Sequence, residues 1–151
     1  MARVDPVERV EVQSVVVRLV HELDAKRWES LPPLFTRIVR TDYTSLFGGE
    51  VQEQPEHTLV EGWKRLLEKV TTQHLLGPIE VEVEGRTATA HCHVRGYHHR
   101  PKTPGGDEWM VAGHYVFALE RIPTGWRIRH MTLQTLYQTG NRKLLEAGAA
   151  R

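Results

Sequence analysis

The sequence predicts an α+β fold in which N-terminal helices lie across a curved antiparallel sheet and cover an internal pocket. Three observations predict it. Apolar residues recur at helical spacing near the N-terminus, the period falls to about two from His74 onward, and compact turns divide that second half into long strands. Helices first and an antiparallel meander after them is the α+β order.

From about Pro6 to Lys26, Val12, Val16, Leu19, Val20 and Leu23 form one stripe, while Glu11, Ser14, Arg18, His21 and Glu22 face away. At about 100° per residue, Asp24 falls on the flank of that stripe. Ser30 can cap a short second helix that accepts Pro32 and Pro33 in its first turn and turns Leu31, Leu34 and Phe35 inward. Ile38 to Leu46 reads as extended, closed by Gly48-Gly49. Thr58 and Glu61 form a capping box for a third helix that carries Trp63, Leu66, Leu67 and Val70 on one face.

Four strands follow, at about His74–Glu84, Arg86–Tyr97, Trp109–Ile122 and Trp126–Thr139. Glu84-Gly85 and Pro123-Thr124-Gly125 are tight turns, and Arg100–Asp107 is a longer hairpin loop. Strands this long twist and curl, and helices can cover the concave face. Residues 1–140 read as one domain, followed by a tail over 141–151 that frays or forms a loose helix.

With 151 residues, 40% of them apolar and 26% charged, the chain reads as one soluble globular domain. Twenty basic and nineteen acidic residues give a net charge of +1, without the basic excess that nucleic-acid binding shows. No run approaches a membrane span and no secretory leader is evident, so a cytoplasmic location is expected. Cys92 is the only cysteine, which excludes an internal disulfide and fits a reducing compartment. No phosphate loop, nucleophile elbow or zinc-protease helix is present.

The chemistry is concentrated in Asp24, where the first helix ends, and His74, where the first long strand begins. A carboxylate that orients an imidazole makes an acid/base pair able to move a proton near neutral pH. The plainer alternative is a strand-end histidine bonded to backbone beside a helix-ending aspartate. Tyr43 can donate a hydrogen bond to a developing enolate oxygen or simply pack at a pocket rim. His91, His93, Arg95 and Tyr97 share one strand face, opposite Ala88, Ala90, Cys92 and Val94. The His91-x-His93 spacing could ligate a metal. However, the glutamate of the cupin motif it resembles is replaced by Tyr97 and His98, and no second cupin motif follows, so no metal is expected.

The chain resembles the nuclear-transport-factor-2-like (NTF2-like) superfamily in its SnoaL-like branch, and within it most resembles the scytalone dehydratase family. The stretches that carry the resemblance are Asp24-Ala25-Lys26-Arg27-Trp28-Glu29-Ser30-Leu31, Thr41-Asp42-Tyr43-Thr44-Ser45, Thr72-Gln73-His74-Leu75-Leu76-Gly77, Val94-Arg95-Gly96-Tyr97-His98 and the Gly125-Trp126 corner. The resemblance implies an NTF2-like cone with Asp24 and His74 as the catalytic dyad and Tyr43 as one of two tyrosines holding a water on the substrate carbonyl. The other tyrosine falls at Leu23. The second pocket histidine matches His98, although an ungapped count gives His99. The family's serine and asparagine fall at Gly113 and Tyr115.

The expectation is therefore a cofactor-independent lyase or isomerase that deprotonates carbon beside a carbonyl in a small apolar, aromatic or polyketide-like substrate. His98 is the candidate acid for a leaving group. Trp63, Gly113, Tyr115 and His130 are the expected substrate-binding residues; His130 follows the parity of Trp126, Ile128 and Thr132, although a structural role fits it equally. Relatives pair through the outer face of the sheet, which implies a homodimer or homotrimer with a small molecule as the only other partner. The contrasting possibility is a non-catalytic binding or assembly domain of the same fold.

Overall fold

The computed structural model describes residues 4–149. The first helix, α1 (Pro6–Asp24), begins where the Asp5 carboxylate accepts the Val7 N–H at 2.8 Å, with Pro6 fixing the first helical φ. It buries Val12, Val16, Leu19, Val20 and Leu23, the stripe that the periodicity predicts. Two 3-10 turns, Trp28–Ser30 and Pro32–Leu34, replace the expected second helix, because consecutive prolines leave too few N–H donors to continue one.

Next come β1 (Phe35–Asp42), the helical turn α2 (Thr44–Phe47), β2 (Gln52–Pro55) and α3 (Glu56–Leu67). The extended segment starts earlier than the sequence suggests and stops at Asp42. There the carboxylate accepts the Thr44 N–H at 3.0 Å and its hydroxyl at 2.7 Å, which turns the chain into α2. The capping box at Thr58 and Glu61 is not used; α3 begins two residues before Thr58, directly after Pro55.

The remaining strands are β3 (Thr71–Leu76), β4 (Glu80–Glu84), β5 (Thr87–His99), β6 (Glu108–Ile122) and β7 (Gly125–Gly140). The expected first long strand is thus two short ones, divided at Gly77-Pro78 and both paired with β5. The sheet runs β2-β1-β7-β6-β5-β3, with β4 beside β3 on the same edge of β5. It is mixed rather than purely antiparallel, because β1 lies parallel to β7 through pairs such as Thr41 with Met131.

Two β-bulges bend β7 against β6 and help curl the sheet. One pairs Leu119 with Ile128 but Ala118 with His130, so Arg129 is the extra residue and the parity of the strand reverses. Trp126 and Ile128 face inward before it, Met131 and Leu133 after it. His130, expected at the pocket wall, instead turns outward beside Arg40 and Arg129, within the field of Glu53. The second bulge lies opposite Gly113, where an added Cβ would meet the Gln134 carbonyl oxygen at 2.7 Å. That close backbone approach accounts for glycine at position 113.

Helix α1 packs on the concave face over Phe35, Phe117, Leu119 and Ile128, all fully buried. It also covers the sheet edge at β3: Gln13 donates to the Ile79 carbonyl at 2.9 Å, and Asp24 accepts the His74 N–H at 2.8 Å. The tail forms α4 (Leu144–Ala149), and Leu144 and Leu145 are buried in the common core. The remainder of the expected tail, residues 150 and 151, lies outside the described residues.

Candidate active site

Leu23, Tyr43, Trp63, His74, Gly96, His98, Tyr115 and Leu145 are among the residues that line a largely apolar cavity of about 120 Å³. It lies between the concave sheet face and α1, α2, α3 and α4. Asp24 stands just behind this wall. Its Oδ1 is 2.7 Å from His74 Nδ1, and its Oδ2 accepts the His74 backbone N–H at 2.8 Å. The Thr72 hydroxyl donates to Oδ1 at 2.9 Å, and Lys26 Nζ donates to that hydroxyl at 3.0 Å. Thr72, His74 and Leu76 share one side of β3, so a single strand supplies both an orienting hydroxyl and an imidazole.

Burial alone would raise the Asp24 carboxyl, but hydrogen bonds and charge from His74, with the Thr72 bond, outweigh it and hold the group below the usual carboxylate range. An ionised Asp24 places the proton of a neutral His74 on Nδ1, which leaves the Nε2 lone pair free. Only 8% of the His74 side chain and 19% of the Asp24 side chain are exposed, so the pair works in a poorly hydrated setting.

Gly96 stands opposite His74 in the β3–β5 register. A Cβ there would come within 3.3 Å of His74 Cδ2 and 3.5 Å of His98 Cε1, so glycine is what leaves room for both rings. Those rings meet edge-on at 6.1 Å between centroids. His98 Nδ1 lies 3.3 Å from the Trp109 carbonyl oxygen, and burial, reinforced by the charge of His74, pushes its pKa down to about 4. His98, not the exposed His99, is the histidine that reaches the cavity. It is a neutral imidazole at physiological pH.

Tyr43 and Tyr115 bring two phenols to the same space. The Tyr43 hydroxyl faces Met131 Sδ at 3.6 Å, a weak acceptor, and burial pushes both phenols up. Leu23 removes a hydroxyl where the resemblance placed one, but Tyr115 supplies another from β6. Trp63 lines the cavity and packs edge-on against Phe35 at 5.9 Å. Of the expected substrate-binding residues, Trp63 and Tyr115 reach the cavity, whereas Gly113 and His130 do not line it. Lys26, Thr72 and Gly96 carry no role expected from the sequence, although all three lie within the stretches that carry the resemblance. Thr72 shares parity with His74, a signal that could have found it.

On the outer face, His91, His93 and His114 cluster, with ring centroids 5.4 Å apart for His91 and His114 and 5.2 Å for His93 and His114. Among the described residues, no group of three or more His, Cys, Asp or Glu side chains converges as a metal site. None of the described helices is long and apolar enough to cross a membrane.

Residues 7–132 match the SnoaL-like domain family, and the chain belongs to that family. No curated protein matches it in sequence. Among solved structures it is similar to the Kfla4162 protein from Kribbella flavida, at 26% identity over 88% of this chain and 93% of that one, with a TM-score of 0.84. It is also similar to a candidate scytalone dehydratase from Novosphingobium aromaticivorans, at 18% identity over 90% of this chain and 89% of the other, with a TM-score of 0.76. A hexachlorocyclohexane dehydrochlorinase, LinA type 2, matches at 16% identity over 89% of each chain, with a TM-score of 0.73. These likenesses show a shared fold, a curved and unclosed mixed sheet covered by an N-terminal helix.

Proposed function

We propose that this protein is a lyase or isomerase that abstracts a proton from carbon next to a carbonyl, using His74 as the base. The observation that carries the reading is the 2.7 Å contact between Asp24 and His74 Nδ1 at the wall of an apolar cavity. His74 Nε2 takes the proton, and the C–H electron pair moves into the carbonyl to give an enolate. Tyr43, with Tyr115 beside it, donates to the enolate oxygen, directly or through water. Asp24 stabilises the imidazolium that results.

In a dehydration, the enolate expels the hydroxide from the adjacent carbon, and the imidazolium proton leaves with it as water. Neutral His98 points its Nδ1–H at the Trp109 carbonyl, so its Nε2 can accept from the substrate hydroxyl and orient it, but His98 is not the acid. In an isomerisation or cyclisation the same imidazolium returns the proton elsewhere. Dehydration is the first choice, in keeping with the elimination chemistry named for two fold neighbours.

A cavity of about 120 Å³ matches the size that takes up a single benzene ring, roughly 150 Å³. The substrate is therefore a small, mostly apolar, one-ring carbonyl compound. We place it in the cytoplasm and expect a homodimer or homotrimer joined through the outer sheet face, where Leu75, Leu136 and Tyr137 are exposed. A purely binding domain would need the cavity but not a carboxylate held by three donors.

The test is hydrogen–deuterium exchange at the α-carbon, followed by proton NMR across a panel of small cyclic β-hydroxy ketones. Wild type should catalyse exchange, and Asp24→Asn and His74→Ala should each cut it by about 10²-fold or more without unfolding the chain. Near-normal exchange in either variant would sink the mechanism.

A further inference from the structure

We infer that Lys26 is a positioning residue for the Asp24–His74 pair, acting through the Thr72 hydroxyl. The inference rests on reading His74 as the base, and it begins with the way α1 ends. Ala25 caps the helix, the Lys26 N–H donates to the Leu23 carbonyl at 3.0 Å, and the Arg27 N–H donates to the Glu22 carbonyl at 3.0 Å. This pair of bonds is the Schellman arrangement, whose left-handed residue is usually glycine. Here Lys26 holds that position with φ of 59°. A lysine accepts an unfavourable backbone where glycine would fit freely.

The side chain supplies a reason. It runs half-buried past the Trp28 ring, with Nζ 5.7 Å from the ring centroid, and reaches Thr72 Oγ1 at 3.0 Å. An ammonium can only donate, and a threonine hydroxyl has a single hydrogen. With Lys26 donating to it, Thr72 must give that hydrogen to Asp24 Oδ1, the oxygen that also accepts from His74 Nδ1. Thr72 is only 5% exposed, so little water competes for its hydroxyl. The ammonium thereby fixes the hydroxyl, the hydroxyl fixes the carboxylate, and the carboxylate fixes the tautomer that points a lone pair into the cavity.

The experiment measures the His74 tautomer in the 15N-labelled full chain through its ring-nitrogen NMR shifts, beside thermal melting. Lys26→Gly should melt at or above the wild-type temperature, because it relieves the left-handed backbone. It should nevertheless lower the ratio of Nδ1–H to Nε2–H tautomers about fivefold, the effect of losing one ordinary hydrogen bond. Thr72→Val should lower the ratio at least as much, and Thr72→Ser should restore it. An unchanged ratio in Lys26→Gly overturns the inference whatever the melting temperature. If that variant does not fold, Thr72→Val and Thr72→Ser decide: equal ratios overturn it, and loss with rescue supports it. The tautomer is read without substrate. A fixed tautomer without turnover would therefore sink the catalytic reading alone, and turnover without tautomer coupling would sink only the role of Lys26.

Discussion

The sheet carries histidines on both faces, on β3 and β5 inside and on β5 and β6 outside, and the two sets differ in what holds them. Inside, His74 and His98 meet edge-on at 6.1 Å beside a carboxylate that accepts three hydrogen bonds. Outside, His91, His93 and His114 stand at similar separations, but the carboxylate within reach, Glu80, is 77% exposed and touches only His91, at 3.2 Å. One step of strand parity separates the sets. The imidazoles are chemically alike, so the difference lies in desolvation and in the anchoring of the partner. An exposed, hydrated carboxylate selects a tautomer poorly; a half-buried one held by three donors selects it well.

The comparison breaks most sharply at the base. His74→Ala should reduce α-proton exchange by about 10²–10⁴-fold, the usual worth of a positioned general base, as read by NMR initial rates. The next effect is on stability. His98 has its folded pKa depressed from 6.5 to about 4, so the unfolded chain binds more protons between those values. Stability is complete above pH 6.5 and falls as the pH drops towards 4, by up to about 3 kcal/mol. Denaturant melts across that range should show the loss in wild type, and His98→Gln should flatten it.

Tyr43→Phe sharpens the inner site further. It should slow turnover by about 10²-fold if the phenol faces the enolate, with little change in melting temperature. The smallest effect is expected outside. The triple replacement of His91, His93 and His114 by glutamine should leave exchange rates unaltered and shift the stability of the monomer by about 0.5 kcal/mol or less.

Much of this was legible in the sequence where one rule governs one element. The stripe of α1 and the alternation of β5 follow from period and parity alone, and Tyr115 at the pocket follows from the resemblance. Asp24 and His74 came from the resemblance joined to their positions at element ends. The failures share one cause, which is that tertiary pairing overrides local pattern. An extra residue at Arg129 reverses the parity that assigned His130 to the pocket, and no local signal marks it. The parallel pairing of β1 with β7 joins segments about ninety residues apart, beyond the reach of any periodicity. The Thr58 capping box is locally sound but loses to a helix that starts after Pro55. Lys26 was hidden for the opposite reason, because glycine and not lysine is the expected signature of its backbone.

Strand β3 has no strand neighbour on the side that faces α1, and such a border is a template on which another chain can assemble. Asp24 occupies the exposed N–H of His74 on that border, while Gln13 occupies the Ile79 carbonyl beyond it. The carboxylate that orients the base therefore also guards colloidal stability. A variant that removes it altogether would be prone to fibrous or amorphous aggregation at high concentration, and its lost activity would have two origins that only a soluble fraction could separate.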